Sequence, residues 1–187
     1  METGRDDFSP LHKMFMSGKL KKAGKSNGLR KLFINELKDS YWVEKTMLRT
    51  LPKIIRTSNT PDLEDTLINH IEQTKKHIKK IEEVFKNIGR SPVTKKCKAM
   101  EGIIKESNEL IQETETGPLK DTAIIVSCQK MKHYEIASFG TLSAFAKAIG
   151  EIEAVHLLDE ILEEEKQTDK ILTELAESSI NMEAMWN

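Results

Sequence analysis

The sequence has few cysteines and no long apolar run. Its two cysteines, Cys97 and Cys128, form no Cys-x-x-Cys pair, so neither a disulfide framework nor a cysteine-rich zinc site is predicted. No apolar stretch approaches the ~20 residues that span a bilayer, and the amino terminus lacks the apolar core of a secretory signal. We therefore expect a soluble, cytoplasmic protein with reduced thiols and no membrane association.

Motifs for nucleotide binding and for nucleophilic catalysis are also missing. The chain has no glycine-rich phosphate loop and no Gly-x-Ser-x-Gly turn. Its 29 basic and 30 acidic residues nearly cancel, which excludes a protein that coats nucleic acid with a uniformly basic surface. With 9 glycines and only 6 Phe, 2 Trp and 2 Tyr among 187 residues, the composition predicts an all-α protein rather than a β-sandwich or barrel.

Residues 1–28 differ in composition from the rest of the chain. They contain six basic and three acidic residues, and four lysines lie between positions 19 and 25. We predict a disordered basic tail over residues 1–28 and a single helical domain over residues 29–187. Such a tail either only solubilises the protein or binds DNA or another anionic partner weakly through its charge.

Proline and glycine divide the domain into helices. Prolines 61, 92 and 118 are placed to begin helices, and glycines 89, 117 and 150 to end them. The predicted helices cover residues 29–57, 61–88, 93–114, 119–149 and 151–178, and Pro52 is expected to kink or shorten the first. Long helices joined by tight turns run antiparallel, so they form two hairpins. With the shorter third helix in the long crossover, this order predicts a ferritin-like four-helix bundle.

Each of the four long helices has ionisable residues near the middle of its apolar stripe. Midpoints of antiparallel helices of similar length lie at one level, so these side chains are predicted to meet in one layer of the core. Glu106 lies on the apolar face of the third helix and is a further candidate, placed to cap the layer from the crossover. The layer residues are Glu44, His70, His77, Glu135, Glu165 and Asp169.

Such a layer predicts a metal site. Each uncompensated buried carboxylate costs several kcal/mol, and the four stripes carry no Lys or Arg to balance the charge. Two divalent cations would balance four carboxylates, and carboxylate donors combined with imidazole suit Fe or Mn. There are two metal-free alternatives: a hydrogen-bonded polar layer that specifies helix register, or residues at the rim whose polar ends reach water.

Several segments of the chain resemble the YciE/YciF family of ferritin-like proteins. The resemblance covers about residues 29–178, and the block His-Tyr-Glu-Ile-Ala at 133–137 is rather specific. It implies a ferritin-like bundle, often homodimeric, with a role in bacterial stress responses and a site for two metals. The segments that carry it are residues 37–45, 70–74, 97–106, 133–142 and 158–169.

The chain departs from the usual di-iron pattern. Di-iron carboxylate bundles carry Glu-x-x-His on two helices, whereas the only such motif here, Glu153 to His156, begins the fifth helix and faces outward. We expect a stress-related dimetal (Fe or Mn) carboxylate protein with ferroxidase or peroxide-consuming activity. The alternative is a non-enzymatic dimeric helical stress protein whose basic tail binds DNA or a partner.

Overall fold

Helices make up nearly all of the chain that the computed structural model describes, which is residues 27–186. The predicted tail lies outside the described residues, except that its last two positions begin the first helix. No strand occurs between residues 27 and 186, so the all-α prediction is confirmed. The helices are α1 (Asn27–Ile55), α2 (Pro61–Asn87), α3 (Lys98–Glu113), α4 (Pro118–Ile149), α5 (Ile152–Leu175), a π-helical segment (Ala176–Ile180) and α6 (Asn181–Trp186).

Four long helices form a bundle of two antiparallel hairpins. Helix α1 packs against α2 and α4, and α5 packs against the same two helices, which closes the ring. Helix α3 belongs to the long crossover between the hairpins and packs against α4. This is the predicted ferritin-like topology. None of the described helices combines the length and the apolar character that crossing a bilayer would require.

Local sequence signals account for most helix ends. Helices α2 and α4 begin with Pro61 and Pro118, because proline has no N–H to lose in the first turn and its φ is already helical. Helix α4 ends at Ile149 and is capped by Gly150, whose φ of 79° lies in the left-handed region that glycine adopts at little steric cost. Its N–H donates to the carbonyls of Ala146 and Lys147.

Two predicted helix features differ from the structure. Helix α3 begins at Lys98 rather than at residue 93, because the Lys95 N–H donates to the Lys38 carbonyl at 3.0 Å and holds this segment against α1. Cys97 caps α3 instead, its Sγ accepting from the Met100 N–H at 3.4 Å. Helix α1 continues three residues past Pro52 and ends at Ile55, two residues before its predicted end.

A polar layer separates two apolar clusters along the bundle. In α2, the first cluster ends at Leu67 and the second begins at Ile81, and His70, Thr74 and His77 are buried between them. In α4 and α5, too, the two clusters lie on opposite sides of Lys132, Glu135 and Glu165, and in α1 the second cluster ends at Tyr41, one turn before Glu44. The prediction that these residues share one depth in the core is therefore confirmed for the residues buried there.

Asp121 joins the two hairpins at one end of the bundle. Its fully buried carboxylate, in the first turn of α4, accepts a hydrogen bond from the Asn59 backbone N–H at 2.9 Å and another from the Thr60 hydroxyl. Both donors lie in the turn between α1 and α2, so a single side chain fixes that turn against the second hairpin.

Replacement of Asp121 by Ala should therefore destabilise the protein. We expect the free energy of unfolding in urea to fall by about 2 kcal/mol, because both donors lose a charged acceptor. Asp65→Ala, at an exposed position of α2, is the matched control and should change stability by less than about 0.5 kcal/mol. Equal effects of the two substitutions would contradict this role of Asp121.

Candidate metal centre

The structure brings five of the seven candidate ligands together in the polar layer. Each is at most 2% exposed, and the five come from all four long helices. They are Glu44 from α1, His70 and His77 from α2, Glu135 from α4 and Glu165 from α5.

These residues form two groups of three potential metal donors. The first group is Glu44, His77 and Glu165, and the second is His70, Glu135 and Glu165. Within each group, one ligand atom from each residue lies within 4.8 Å of those from the other two. Glu165 belongs to both groups, so its carboxylate joins them into one cluster.

The His77 ring is aimed into the first donor group. Its Nδ1 lies 3.1 Å from Glu165 Oε1 and 3.5 Å from Glu44 Oε1, and its Nε2 lies 2.9 Å from Glu164 Oε2. Glu164 also accepts from Lys80 at 2.7 Å. A carboxylate on the outer nitrogen of a ligand histidine fixes the ring orientation. The sequence does not indicate this role of Glu164, because the residue belongs to an acidic run typical of a solvated face.

Lys132 is a buried cation in the layer whose burial the apolar stripes do not predict. Its side chain is fully buried, and its Nζ lies 2.8 Å from Glu135 Oε2 and also contacts Glu165 Oε2 and His70 Nε2. The prediction that no core cation balances the carboxylates is therefore wrong. A signal was present, since position 132 lies four residues after the buried Cys128 and three before Glu135, on the same helix face.

Asp169 and Glu106 lie outside both donor groups. Asp169 is partly exposed and its Oδ2 lies 3.0 Å from His133 Nε2, because Thr168 takes the buried position that follows Glu165 on α5. Glu106 is exposed on α3 and pairs with Lys130 on the surface. The structure therefore does not place Glu106 over the layer as a cap.

Comparison with known proteins identifies the family. Residues 28–185 match the family described as a domain of unknown function, DUF892. Over 154 residues the chain is 42% identical to protein YciF of Escherichia coli (strain K12), which covers 82% of this chain and 93% of YciF. The chain belongs to the DUF892 family. The resemblance to the YciE/YciF proteins is confirmed.

Solved structures of relatives share the bundle. The crystal structure of the E. coli stress protein YciF matches with a TM-score of 0.78 and 41% identity, covering 82% of this chain and 97% of that one. YcfI from Rhodopseudomonas palustris matches with a TM-score of 0.76 and 36% identity, covering 78% and 92%. A protein from Xanthomonas campestris pv. campestris, 21% identical with a TM-score of 0.64, shares the fold over 80% of this chain and 92% of its own.

In this DUF892 domain, burial and neighbouring charge divide the carboxylates into two kinds. Burial raises the pKa of Glu44, and burial together with the nearby Glu165 raises the pKa of Glu135 well above its usual value. Burial also opposes ionisation of Glu165, but Lys132 and His77 outweigh it and hold its pKa below the usual range. Glu165 is therefore the carboxylate that is ionised most readily.

The two histidines are also in different states. Burial and the nearby Lys132 lower the pKa of His70 well below its usual value, so this ring is neutral. Burial would lower the pKa of His77 as well, but the neighbouring carboxylates of Glu165 and Glu44, on its Nδ1 side, raise it to about 10. Without a metal, Lys132 and protonated His77 thus supply two positive charges next to the carboxylates.

The cluster still leaves donor atoms that suit a metal. Among the described residues, both oxygens of Glu44, Glu135 Oε1, Glu165 Oε1 and His77 Nδ1 are buried without a hydrogen bond, and His77 Nδ1 lies at ion-pair distance from Glu44 Oε1 and Glu165 Oε1. Buried polar atoms normally have a partner. Carboxylate oxygens with imidazole nitrogens are donors that Fe and Mn accept, so the residues present fit a metal ion of this kind.

The stability of the metal-free protein should decrease at alkaline pH. Protonated His77 stabilises the folded state fully below about pH 6.5, and this contribution is lost as the pH rises toward its folded pKa of about 10. Each unit of pKa difference corresponds to about 1.4 kcal/mol. Urea unfolding between pH 6.5 and pH 10 in the presence of a chelator measures this loss.

His77→Gln provides the comparison for the pH series. The decrease in unfolding free energy with pH should be smaller in this variant than in the wild type, whereas His156→Gln, at an exposed position of α5, should leave it unchanged. Parallel pH profiles for the wild type and His77→Gln would contradict the assignment.

Proposed function

We propose that this protein is a metal-binding stress protein that holds Fe or Mn in its polar layer. Glu44, His77 and Glu165 would bind the metal, and His70 and Glu135 are the remaining donors of the cluster. The membership in the YciF family supports the stress-related role, since the E. coli relative is described as a stress protein. We further propose that the bound metal reacts with O₂ or peroxide.

The unbonded donor atoms are the observation that supports metal binding most directly. Glu44 lies at 0% exposure, and neither of its carboxylate oxygens is hydrogen-bonded among the described residues; Oε1 only approaches His77 Nδ1, at 3.5 Å. A carboxylate in such a position is stabilised by a directly bound cation. The Glu164 carboxylate on the outer nitrogen of His77 supports the same interpretation, because it resembles the partners that hold ligand histidines in metal sites.

The donor set also favours oxidation of a bound iron. Anionic oxygen donors stabilise the higher charge of Fe(III) relative to Fe(II), so iron held here would give up an electron more readily. With peroxide as the oxidant, two Fe(II) ions each lose one electron, and one H₂O₂ takes up two electrons and two protons to give two H₂O. The part of the protein is to bind the ion and to shield it from bulk water.

The metal-free alternative has one observation in its favour. Lys132 and His77 already compensate part of the negative charge within the chain, so the polar layer could serve only to fix the register of the helices. The protein would then be a non-enzymatic dimeric helical stress protein that binds DNA or a partner through its basic tail. Metal content separates the two functions.

Glu165→Gln is the sharpest test of metal binding, because Glu165 belongs to both donor groups. The wild-type protein, loaded with Fe(II) or Mn(II) and desalted, should retain metal by elemental analysis, and this variant should lose it. Glu163→Gln is the matched control, two residues away on the exposed face of α5. Retention of wild-type metal content by Glu165→Gln, or its absence from the wild type, would favour the metal-free alternative.

Iron oxidation can be tested separately from binding. Fe(II) added to the wild-type protein under air should be consumed faster than Fe(II) in buffer, because the carboxylates stabilise the ferric product. A colorimetric chelator of Fe(II) measures the remaining substrate over time. Glu163→Gln should behave as the wild type and Glu165→Gln as buffer. Metal retention without faster oxidation would limit the function to metal binding.

A further inference from the structure

We infer that the Lys132 ammonium occupies the position of a second metal ion, so that the bundle holds one divalent metal and one built-in cation. This inference rests on the proposed metal-binding function and concerns how many ions the centre takes. The contacts of Lys132 support this inference. Its Nζ touches all three members of the second donor group: Glu135, Glu165 and His70.

Lys132 and a metal ion cannot occupy this place together. A metal bound to these donors would lie about 2.0–2.2 Å from the same oxygen and nitrogen atoms that Nζ contacts. The two cations would overlap in space and would repel each other in a region of low dielectric. Because the lysine is fully buried, Nζ has no nearby solvent into which it could withdraw without losing its ion pairs.

The Lys132 ammonium occupies the second donor group but not the first. Among the described residues, no hydrogen bond or ion pair joins Lys132 to Glu44 or to His77. The Glu165 carboxylate faces both positions, with Oε1 toward His77 and Oε2 toward Lys132. It therefore bridges the metal position and the lysine position, as a carboxylate bridges two metals in a dinuclear centre.

The charge balance of the cluster also favours one metal ion together with the Lys132 ammonium. The three buried carboxylates, Glu44, Glu135 and Glu165, carry three negative charges when all are ionised. One divalent metal bound by neutral His77, together with the Lys132 ammonium, supplies three positive charges. A second divalent ion added beside the lysine would leave an excess of two positive charges in the core, at the energetic cost of burying unpaired ions.

The experiment compares Mn(II) binding by the wild type and by Lys132→Ala. Equilibrium dialysis followed by elemental analysis should give one Mn per chain for the wild type and two for Lys132→Ala. Lys130→Ala is the matched control: it removes the same charge from the same helix, at an exposed position that pairs with Glu106, and should bind one Mn. Electron paramagnetic resonance should show an isolated Mn(II) signal in the wild type and a magnetically coupled pair in Lys132→Ala.

The outcomes distinguish this inference from the proposed function. Absence of Mn from the wild type would overturn both. Two Mn in the wild type would overturn the role of Lys132 and leave metal binding in place. One Mn per chain in a folded Lys132→Ala variant would likewise overturn the role of Lys132 and leave metal binding in place.

Folding of the variant is part of the test. Lys132→Gln, which keeps a polar group in the layer, is examined alongside Lys132→Ala by circular dichroism. If either unfolds without metal, its helical signal should return on addition of two, and not one, equivalents of Mn(II). Failure of both variants to fold in excess Mn(II) would contradict the inference, because two divalent ions supply more positive charge than the lost ammonium.

Discussion

Charge compensation in the polar layer is the constraint on which the bundle depends. Glu44, Glu135 and Glu165 lie between two apolar clusters, where an uncompensated carboxylate would cost several kcal/mol. Lys132 from α4 and His77 from α2 supply positive charge to Glu165 across the helix interfaces. A shift of one helix by a single turn, about 5.4 Å, would separate these charges. The layer therefore fixes the helix register as well as forming the candidate site.

The contacts that stabilise the metal-free bundle involve the same residues that the proposed metal would use. Protonated His77 lies between Glu165 and Glu44, where a divalent ion would exchange places with its proton and leave the helix positions unchanged. Glu164 would keep the ring oriented in both states, because it contacts the outer nitrogen. The fixed helix register and the proposed metal binding would thus have one physical origin.

The sequence predicts the helix ends and the depth of the site residues better than it predicts the rotation of each helix about its axis. The positions of proline and glycine predict where most helices begin and end, and the interrupted stripes predict the depth of Glu44 and Glu135. The rotation of each helix is not predicted as well. Asp169 lies near the edge of its stripe, and the structure turns it toward His133. The burial of Lys132 is not predicted, because lysine is almost never fully buried without a partner. Two of its partners lie on α2 and α5, and the sequence of α4 alone does not indicate them.

A lysine in the second position would also limit the redox chemistry of the centre. An ammonium group has no accessible change of oxidation state, whereas a second iron could contribute one electron. A centre with one iron and Lys132 could therefore give a single electron per chain, and reduction of peroxide to water requires two. Binding and withdrawal of a redox-active metal from solution needs only the one position formed by Glu44, His77 and Glu165. If Lys132 takes the second position, metal retention fits this bundle better than two-electron turnover within one chain.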